Sequence, residues 1–188
     1  SDVCSSDLNS LVESLNLGIN KSKYKNIIWM DADFQHPPNY VSKLIEQEKK
    51  FDIVICSRFL KESKRHFDKK KSEASMNDFF SIYLNKVCNF FLYKDITDYT
   101  SGFVLMKRKI FINYKLQGYY GDYFINLIYY CKNKKYLIKE IPFIERKRLT
   151  GQSKTSKFGI DYFIKLFFYF FCVLKICIKN LFKNKVYD

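Results

Sequence analysis

The sequence predicts an α/β fold whose site lies at the carboxyl ends of its strands, and three observations carry that prediction. Ile27-Ile28-Trp29-Met30 is a short, unbroken apolar run with β-branched and aromatic members, which predicts a strand covered on both faces. Phe51-Asp52-Ile53-Val54-Ile55-Cys56 is a second run of the same kind. Between and before them lie stretches of helical periodicity. The 188 residues are enough for one domain with a real core, and 47% hydrophobic with 19% aromatic residues excludes a disordered chain.

The elements follow in order. Residues 1–8, Ser-Asp-Val-Cys-Ser-Ser-Asp-Leu, hold no Lys, Ile, Tyr or Phe in a chain otherwise rich in them, and they lack the basic start and apolar centre of a signal peptide. They read as a non-native leader. Residues 9–22 place Leu11, Leu15 and Ile19, with Leu8 and Val12 nearby, at helical spacing. Strand 27–30 follows. Residues 39–50 give a helix with an apolar face of Tyr40, Val41, Leu44 and Ile45, leading to strand 51–56, expected to run parallel to the first by the crossover rule. Residues 61–76 are polar and Lys-rich, the pattern of a loop, and residues 77–93 form an aromatic helix. Val104-Leu105-Met106 is a short strand, and Lys107-Arg108-Lys109 after it reads as a solvated turn. A helix is expected from Gly118 to about Lys132, with Asp122 capping or flanking its start, then a strand over 136–142 ended by proline. Residues 158–182 are aromatic and aliphatic but broken by Asp161, Lys165, Lys175 and Lys179. Crossing a bilayer needs about 20 uninterrupted apolar residues, so this tail reads as an amphipathic helix lying in a membrane interface.

Chemistry concentrates where the first strand stops, at Asp31-Ala32-Asp33-Phe34-Gln35-His36-Pro37-Pro38. In extended backbone, side chains two apart point the same way, so Asp31 and Asp33 would repel each other without a cation between them. Gln35 offers a neutral oxygen on that side. Hard ions such as Mg²⁺ or Mn²⁺ take such oxygen ligands and keep positions open for phosphate. Asp-x-Asp alone is common in solvated turns. The apolar strand before this one and the proline-started helix after it are what a metal-nucleotide site at a strand end needs.

The net charge of +14 suggests an anionic partner: nucleic acid, a phosphorylated substrate or an anionic membrane surface. The positive charges are dispersed rather than clustered with a stacking platform, so no nucleic-acid partner is expected. The six cysteines, Cys4, Cys56, Cys88, Cys131, Cys172 and Cys177, form no Cys-x-x-Cys pair and stand near neither histidine. They read as free thiols of a reducing compartment, not as a zinc site.

Asp31-Ala-Asp-Phe-Gln-His-Pro-Pro38 resembles the metal signature of the dolichyl-phosphate mannose synthase type of inverting glycosyltransferase. Asp98-Tyr-Thr-Ser-Gly-Phe103 resembles that family's Asp-x-Thr-Ser-Gly-Phe loop, and Arg148-Leu-Thr-Gly-Gln-Ser-Lys154 its Arg-x-x-Gly-x-Ser-Lys motif. The resemblance implies a GT-A type nucleotide-diphospho-sugar transferase fold, a Rossmann-like mixed sheet flanked by helices. It covers residues 9–157 as a partial catalytic domain whose first βα units are missing, with 158–188 as an interfacial tail. It further implies Asp31, Asp33 and Gln35 as metal ligands for Mg²⁺ or Mn²⁺, and Asp31, Asp33 and Arg58 facing the donor diphosphate. Ser81, Ser101, Arg148, Ser153 and Lys154 would hold the acceptor phosphate, and Asp33, Asp98 and Asp122 would stand among the catalytic groups. Cys56 replaces the family's glycine before Ser57-Arg58, and Asn77 stands where the family often has arginine; Lys69, Lys70 or Lys71 could supply that charge.

The expected reaction is transfer of a mannose- or glucose-type sugar from a GDP- or UDP-sugar to a polyprenyl or dolichyl phosphate, by a peripheral enzyme at the cytoplasmic face of a membrane. A related transferase with a glycolipid or cell-surface polysaccharide acceptor would share Asp31 and Asp33 without needing the third motif. A basic non-enzymatic protein of a membrane surface or nucleic acid gives no reason for Asp31, Asp33 and Gln35 to sit together.

Overall fold

The computed structural model describes residues 10–65, 72–146 and 160–184. Elements alternate: α1 (Leu11–Lys21), β1 (Asn26–Trp29), α2 (Tyr40–Glu46), β2 (Ile53–Ser57), α3 (Ser72–Phe91), β3 (Val104–Lys107), a 3₁₀ turn (Arg108–Ile112), α4 (Asp122–Asn133), β4 (Ile138–Pro142) and α5 (Ile160–Asn184). The four strands form one mixed sheet in the order β1-β3-β2-β4. β3 is antiparallel to both β1 and β2, and β4 is parallel to β2. β1 and β2 therefore run the same way, as the crossover rule requires, with β3 inserted between them.

Strand alternation sorts the core into two layers. Ile53 and Ile55 of β2 and Val104 and Met106 of β3 face the larger cluster, built with α1, α3, α4 and α5. Val54, Cys56 and Leu105 face the opposite cluster with Tyr40 and Leu44 of α2, Phe103 and Phe143. β2 is buried along its whole length. β1 departs from expectation: all four of its residues are only half-buried. Among the described residues it pairs with β3 alone, and a strand with one neighbour lacks cover along its other side.

Local chemistry sets the helix ends. Ser10 Oγ accepts from Glu13 N–H at 3.1 Å, one half of a capping box. α2 stops at Glu46, short of the expected 50, and residues 47–50 close as turns. α3 begins at Ser72, five residues inside the stretch expected to be loop, because Ser72–Met76 lack apolar periodicity but contain nothing that breaks a helix. Lys107 and Lys109 are not simply solvated: both reach Asp52 Oδ1, at 3.1 and 2.9 Å. α5 is a single 25-residue helix. Cys172, Val173 and Ile176 pack inward, while Phe163, Phe167, Phe170, Phe171, Leu174 and Ile178 form an exposed stripe. No described helix is long and apolar enough to cross a membrane. The five described cysteines are free, as expected.

Candidate active site

β1, β2 and β4 end, and the antiparallel β3 begins, along one edge of the sheet. The connections there carry the sequence motifs. After Trp29 the chain leaves extended conformation, and Phe34 adopts φ 66°, a left-handed position uncommon for a bulky residue. The premise of alternating strand geometry at Asp31 and Asp33 thus fails; a tight loop carries them instead. His36 anchors it. Its Nδ1 accepts the Asp31 N–H at 2.9 Å, and its ring is buried, stacked on Phe103 at 5.0 Å and edge-on to Phe143. Burial holds the imidazole below its ordinary pKa, opposed by the nearby Asp31 carboxylate. Asp33 Oδ1 accepts the Gln35 N–H at 3.0 Å, while the Asp31 carboxylate stands exposed. A Cβ added at Gly102 would lie 3.5 Å from Asp31 Oδ1 and 3.4 Å from the His36 ring, so the second motif lies directly against the first.

Arg58, leaving β2, is largely buried and makes a bidentate pair with Asp98: Nε to Oδ2 and Nη2 to Oδ1, each at 2.8 Å, with Nη2 also donating to Thr100 Oγ1 at 2.7 Å. Burial alone would raise the Asp98 pKa; the Arg58 charge and hydrogen bonds outweigh it and hold the carboxyl below its usual range. Glu140 on β4 clamps the same loop, accepting from Thr97 N–H, Thr97 Oγ1 and Asp98 N–H, each at 2.9 Å.

Thr100 and Arg58 open onto a cavity of about 600 Å³ between α1, α3, the 119–121 turn and α5. Ser81, Arg58, Thr100 and Lys165 line it with polar groups; Leu11, Phe80, Leu84 and Leu166 line it with apolar ones. The loop 98–103 therefore touches the carboxylate loop through Gly102 and the cavity through Thr100.

Three expected site residues are engaged inside the fold. Asp98 has no exposed surface, and its carboxylate is occupied by Arg58 and backbone N–H groups, so it anchors the arginine. Ser101 is buried, donating to Cys56 O at 2.8 Å and accepting from Phe103 N–H, which stitches its loop to β2. Asp122 is buried in the first turn of α4, where its Oδ1 accepts from Tyr119 and Tyr120 N–H. It ties down the turn at Gly118, where a φ of +146° and the 2.8 Å that a Cβ would lie from Asp122 Oδ2 and from Tyr123 N favour glycine. Ser81 lines the cavity, and Gln35 is half-buried with its backbone carbonyl accepting from Arg146 N–H at 3.0 Å. That last bond brings the segment that follows β4 against the carboxylate loop. Arg148, Ser153 and Lys154, with Lys69, Lys70 and Lys71, lie outside the described residues.

Sequence reasoning missed His36 as an anchor, Glu140 as a clamp, Thr100, and Lys165 as a cavity residue. His36 stands inside the first motif, and its position directly before the proline pair was the available signal. Glu140 gave none, since one carboxylate in a strand has no local signature.

A mixed sheet with helices on both faces, gathering a two-carboxylate loop and a buried arginine at its strand ends, is the GT-A class of nucleotide-sugar transferase fold. Solved structures agree. Glucosyl-3-phosphoglycerate synthase from Mycobacterium tuberculosis in complex with Mn²⁺, UDP and phosphoglyceric acid superposes with a TM-score of 0.62 at 11% identity, over 90% of this chain and 55% of that one. The same synthase with Mn²⁺, UDP-glucose and phosphoglyceric acid gives 0.60 at 12% identity, over 92% and 58%. The dolichol-phosphate mannosyltransferase of Pyrococcus furiosus is 32% identical over 129 residues, 66% of this chain and 34% of that protein. The chain thus spans about a third of the length of that relative. Residues 4–115 match the glycosyl transferase family 2 profile, and the chain belongs to that family.

Proposed function

We propose that this chain is the part of a metal-dependent glycosyltransferase that holds the donor diphosphate and receives a polyprenyl or dolichyl phosphate acceptor at a membrane surface, on its cytoplasmic face. The donor would be a GDP- or UDP-sugar of mannose or glucose type. The observation that carries this reading is the loop 98–103, which lies against Asp31 at Gly102 and opens at Thr100 onto a cavity with both cationic and apolar walls. A lipid phosphate needs both kinds of wall; a small soluble acceptor has no use for Phe80, Leu84 and Leu166.

The chemistry of the donor set suits a hard divalent ion: the exposed Asp31 carboxylate, the Asp33 carboxylate and the amide oxygen of Gln35 are oxygen ligands. The described residues gather no cluster of three or more His, Cys, Asp or Glu, so Asp31, Asp33 and Gln35 would hold Mg²⁺ or Mn²⁺ through few protein ligands and leave its other positions to phosphate and water. The chemistry the ion supplies there is neutralisation of charge on the departing diphosphate. Arg58 is fixed by Asp98 before substrate arrives, so it adds positive charge without reorganisation. An acceptor phosphate is already anionic and needs placing more than deprotonating, which suits a site whose histidine lone pair is occupied by Asp31 N–H. Arg148, Ser153 and Lys154 join Ser81 in this reading as acceptor contacts.

The test is transfer by the full chain from GDP-mannose and UDP-glucose to polyprenyl phosphate, with polyprenol and 3-phosphoglycerate as competing acceptors. Transfer to polyprenyl phosphate that stops with EDTA and in Asp33→Asn is expected. Undiminished transfer in Asp33→Asn removes the metal role, and preference for 3-phosphoglycerate removes the lipid acceptor.

A further inference from the structure

The cavity beside the carboxylate loop has a charge balance that singles out one residue. Among its described lining residues, Arg58 and Lys165 carry positive charge. Arg58 is neutralised at contact distance by Asp98, which no solvent reaches, with both carboxylate oxygens engaged. Its pair is part of the wall. Lys165 has no such counter-ion among the described residues: its ammonium sits over the Tyr120 ring, 5.3 Å from the centroid, a contact that steadies a cation without discharging it.

The position of Lys165 on α5 separates it from Lys175 and Lys179 of that helix. It lies four residues before Tyr169, seven before Cys172 and eleven before Ile176, along the side that packs inward, and it is half-buried. Lys175 and Lys179 are exposed. Tyr169 holds the turn of α5 after Lys165 in place: a Cβ at Gly121 would come within 2.1 Å of its hydroxyl, so helix and turn meet at contact distance. A lysine held on a packed face, over an aromatic ring, in a cavity otherwise short of net charge, is placed to meet an anion entering that cavity.

Resting on the acceptor reading above, we infer that Lys165 is a specificity-determining residue: among the described lining residues it adds the unneutralised positive charge that favours a phosphorylated over an unphosphorylated prenyl acceptor. The apolar groups Phe80, Leu84 and Leu166 hold the chain of either ligand equally. The tail helix then has two separate faces, an outer aromatic stripe and an inner cation, and only the second reads the phosphate.

Equilibrium binding of farnesyl phosphate and of farnesol to the full chain in neutral detergent micelles tests this, comparing wild type with Lys165→Gln and Lys165→Arg. Lys165→Gln is expected to weaken farnesyl phosphate about tenfold, the size of a lost charge-assisted contact, with farnesol unchanged and Lys165→Arg close to wild type. That pattern supports the inference even where no sugar is transferred, in which case the transfer reading alone fails. Equal farnesyl phosphate binding by wild type and Lys165→Gln overturns the inference and leaves the acceptor reading standing. Parallel loss of both ligands in Lys165→Gln marks a structural role and overturns it too. Failure of wild type to bind farnesyl phosphate overturns both.

Discussion

Arg58 and Asp98 show how a residue read from sequence as a ligand group can be half of an internal pair. Removing one partner from a buried, hydrogen-bonded ion pair leaves the other charge stranded, at a cost of about 3–5 kcal/mol. Asp98→Asn is expected to unfold at markedly lower denaturant, checked by urea melts of the full chain; a change within error would show that Arg58 finds water or another acceptor. Glu140 gives a prediction in pH. Burial and the neighbouring Asp98 charge raise its pKa above the ordinary 4.5, against the hydrogen bonds it accepts. Between 4.5 and its raised folded value the native state binds the extra proton. Its stabilising contribution is therefore fullest below 4.5 and is lost as pH rises through the folded pKa. Asp98, depressed below 3.8, titrates outside that window. His36, depressed below 6.5, slopes the other way, so the comparison is between variants. Glu140→Gln is expected to remove the falling slope seen above pH 4.5 and to lower stability at every pH by about 1–3 kcal/mol, since an amide cannot accept all three hydrogen bonds. A wild-type-minus-variant difference that stays flat with pH would refute the assignment. These roles were not legible beforehand because a carboxylate's partner is set by tertiary contact: Glu140 lies more than 40 residues from Thr97 and Asp98.

Among the described elements, the four strands, the five helices and the order of motifs were legible, because period and punctuation are local, whereas the half-burial of β1 was not. What could not be read was which strand stands between which. The crossover rule gives β1 and β2 the same direction but is silent on β3 entering between them, and an apolar run of four does not distinguish an edge from a centre. The same limit put the start of α3 at 77 in place of Ser72. Of the candidate site, the carboxylate loop and the 98–103 loop were marked by composition, whereas the contribution of α5 was not, since the tail read as a surface helix. The junction of α4 and α5 at Gly121 and Tyr169 is directly testable. Gly121→Ala drives a methyl into the Tyr169 hydroxyl and is expected to cost about 1–3 kcal/mol, the usual penalty of overpacking. Tyr169→Phe should return part of it in the double variant, since the ring carbon behind the hydroxyl still sits 3.2 Å from the added Cβ. Strict additivity of the two changes in thermal melts would show that the contact relaxes freely.

At the scale of the whole molecule, charge and exposed aromatics have to be explained together. The chain carries +14, and α5 turns Phe163, Phe167, Phe170, Phe171, Leu174 and Ile178 outward beside exposed Lys175 and Lys179. α3, which packs against α5, adds exposed Phe79, Tyr83 and Phe90. Aromatic stripes flanked by lysines are suited to the boundary between head groups and acyl chains, where rings are buried shallowly and ammonium groups meet anionic lipid. Two contributions then separate by experiment. In co-sedimentation with vesicles of phosphatidylcholine and phosphatidylglycerol, raising salt from 0.05 to about 0.5 M is expected to weaken binding through the lysines, because the screening length shrinks severalfold. Phe167→Ser with Phe171→Ser is expected to weaken binding at both salt concentrations and to leave the salt dependence unchanged, because the stripe acts by burial and not by charge. Binding that ignores the phenylalanine changes would make the association purely electrostatic, and the outer stripe of α5 would then have to face protein instead of lipid.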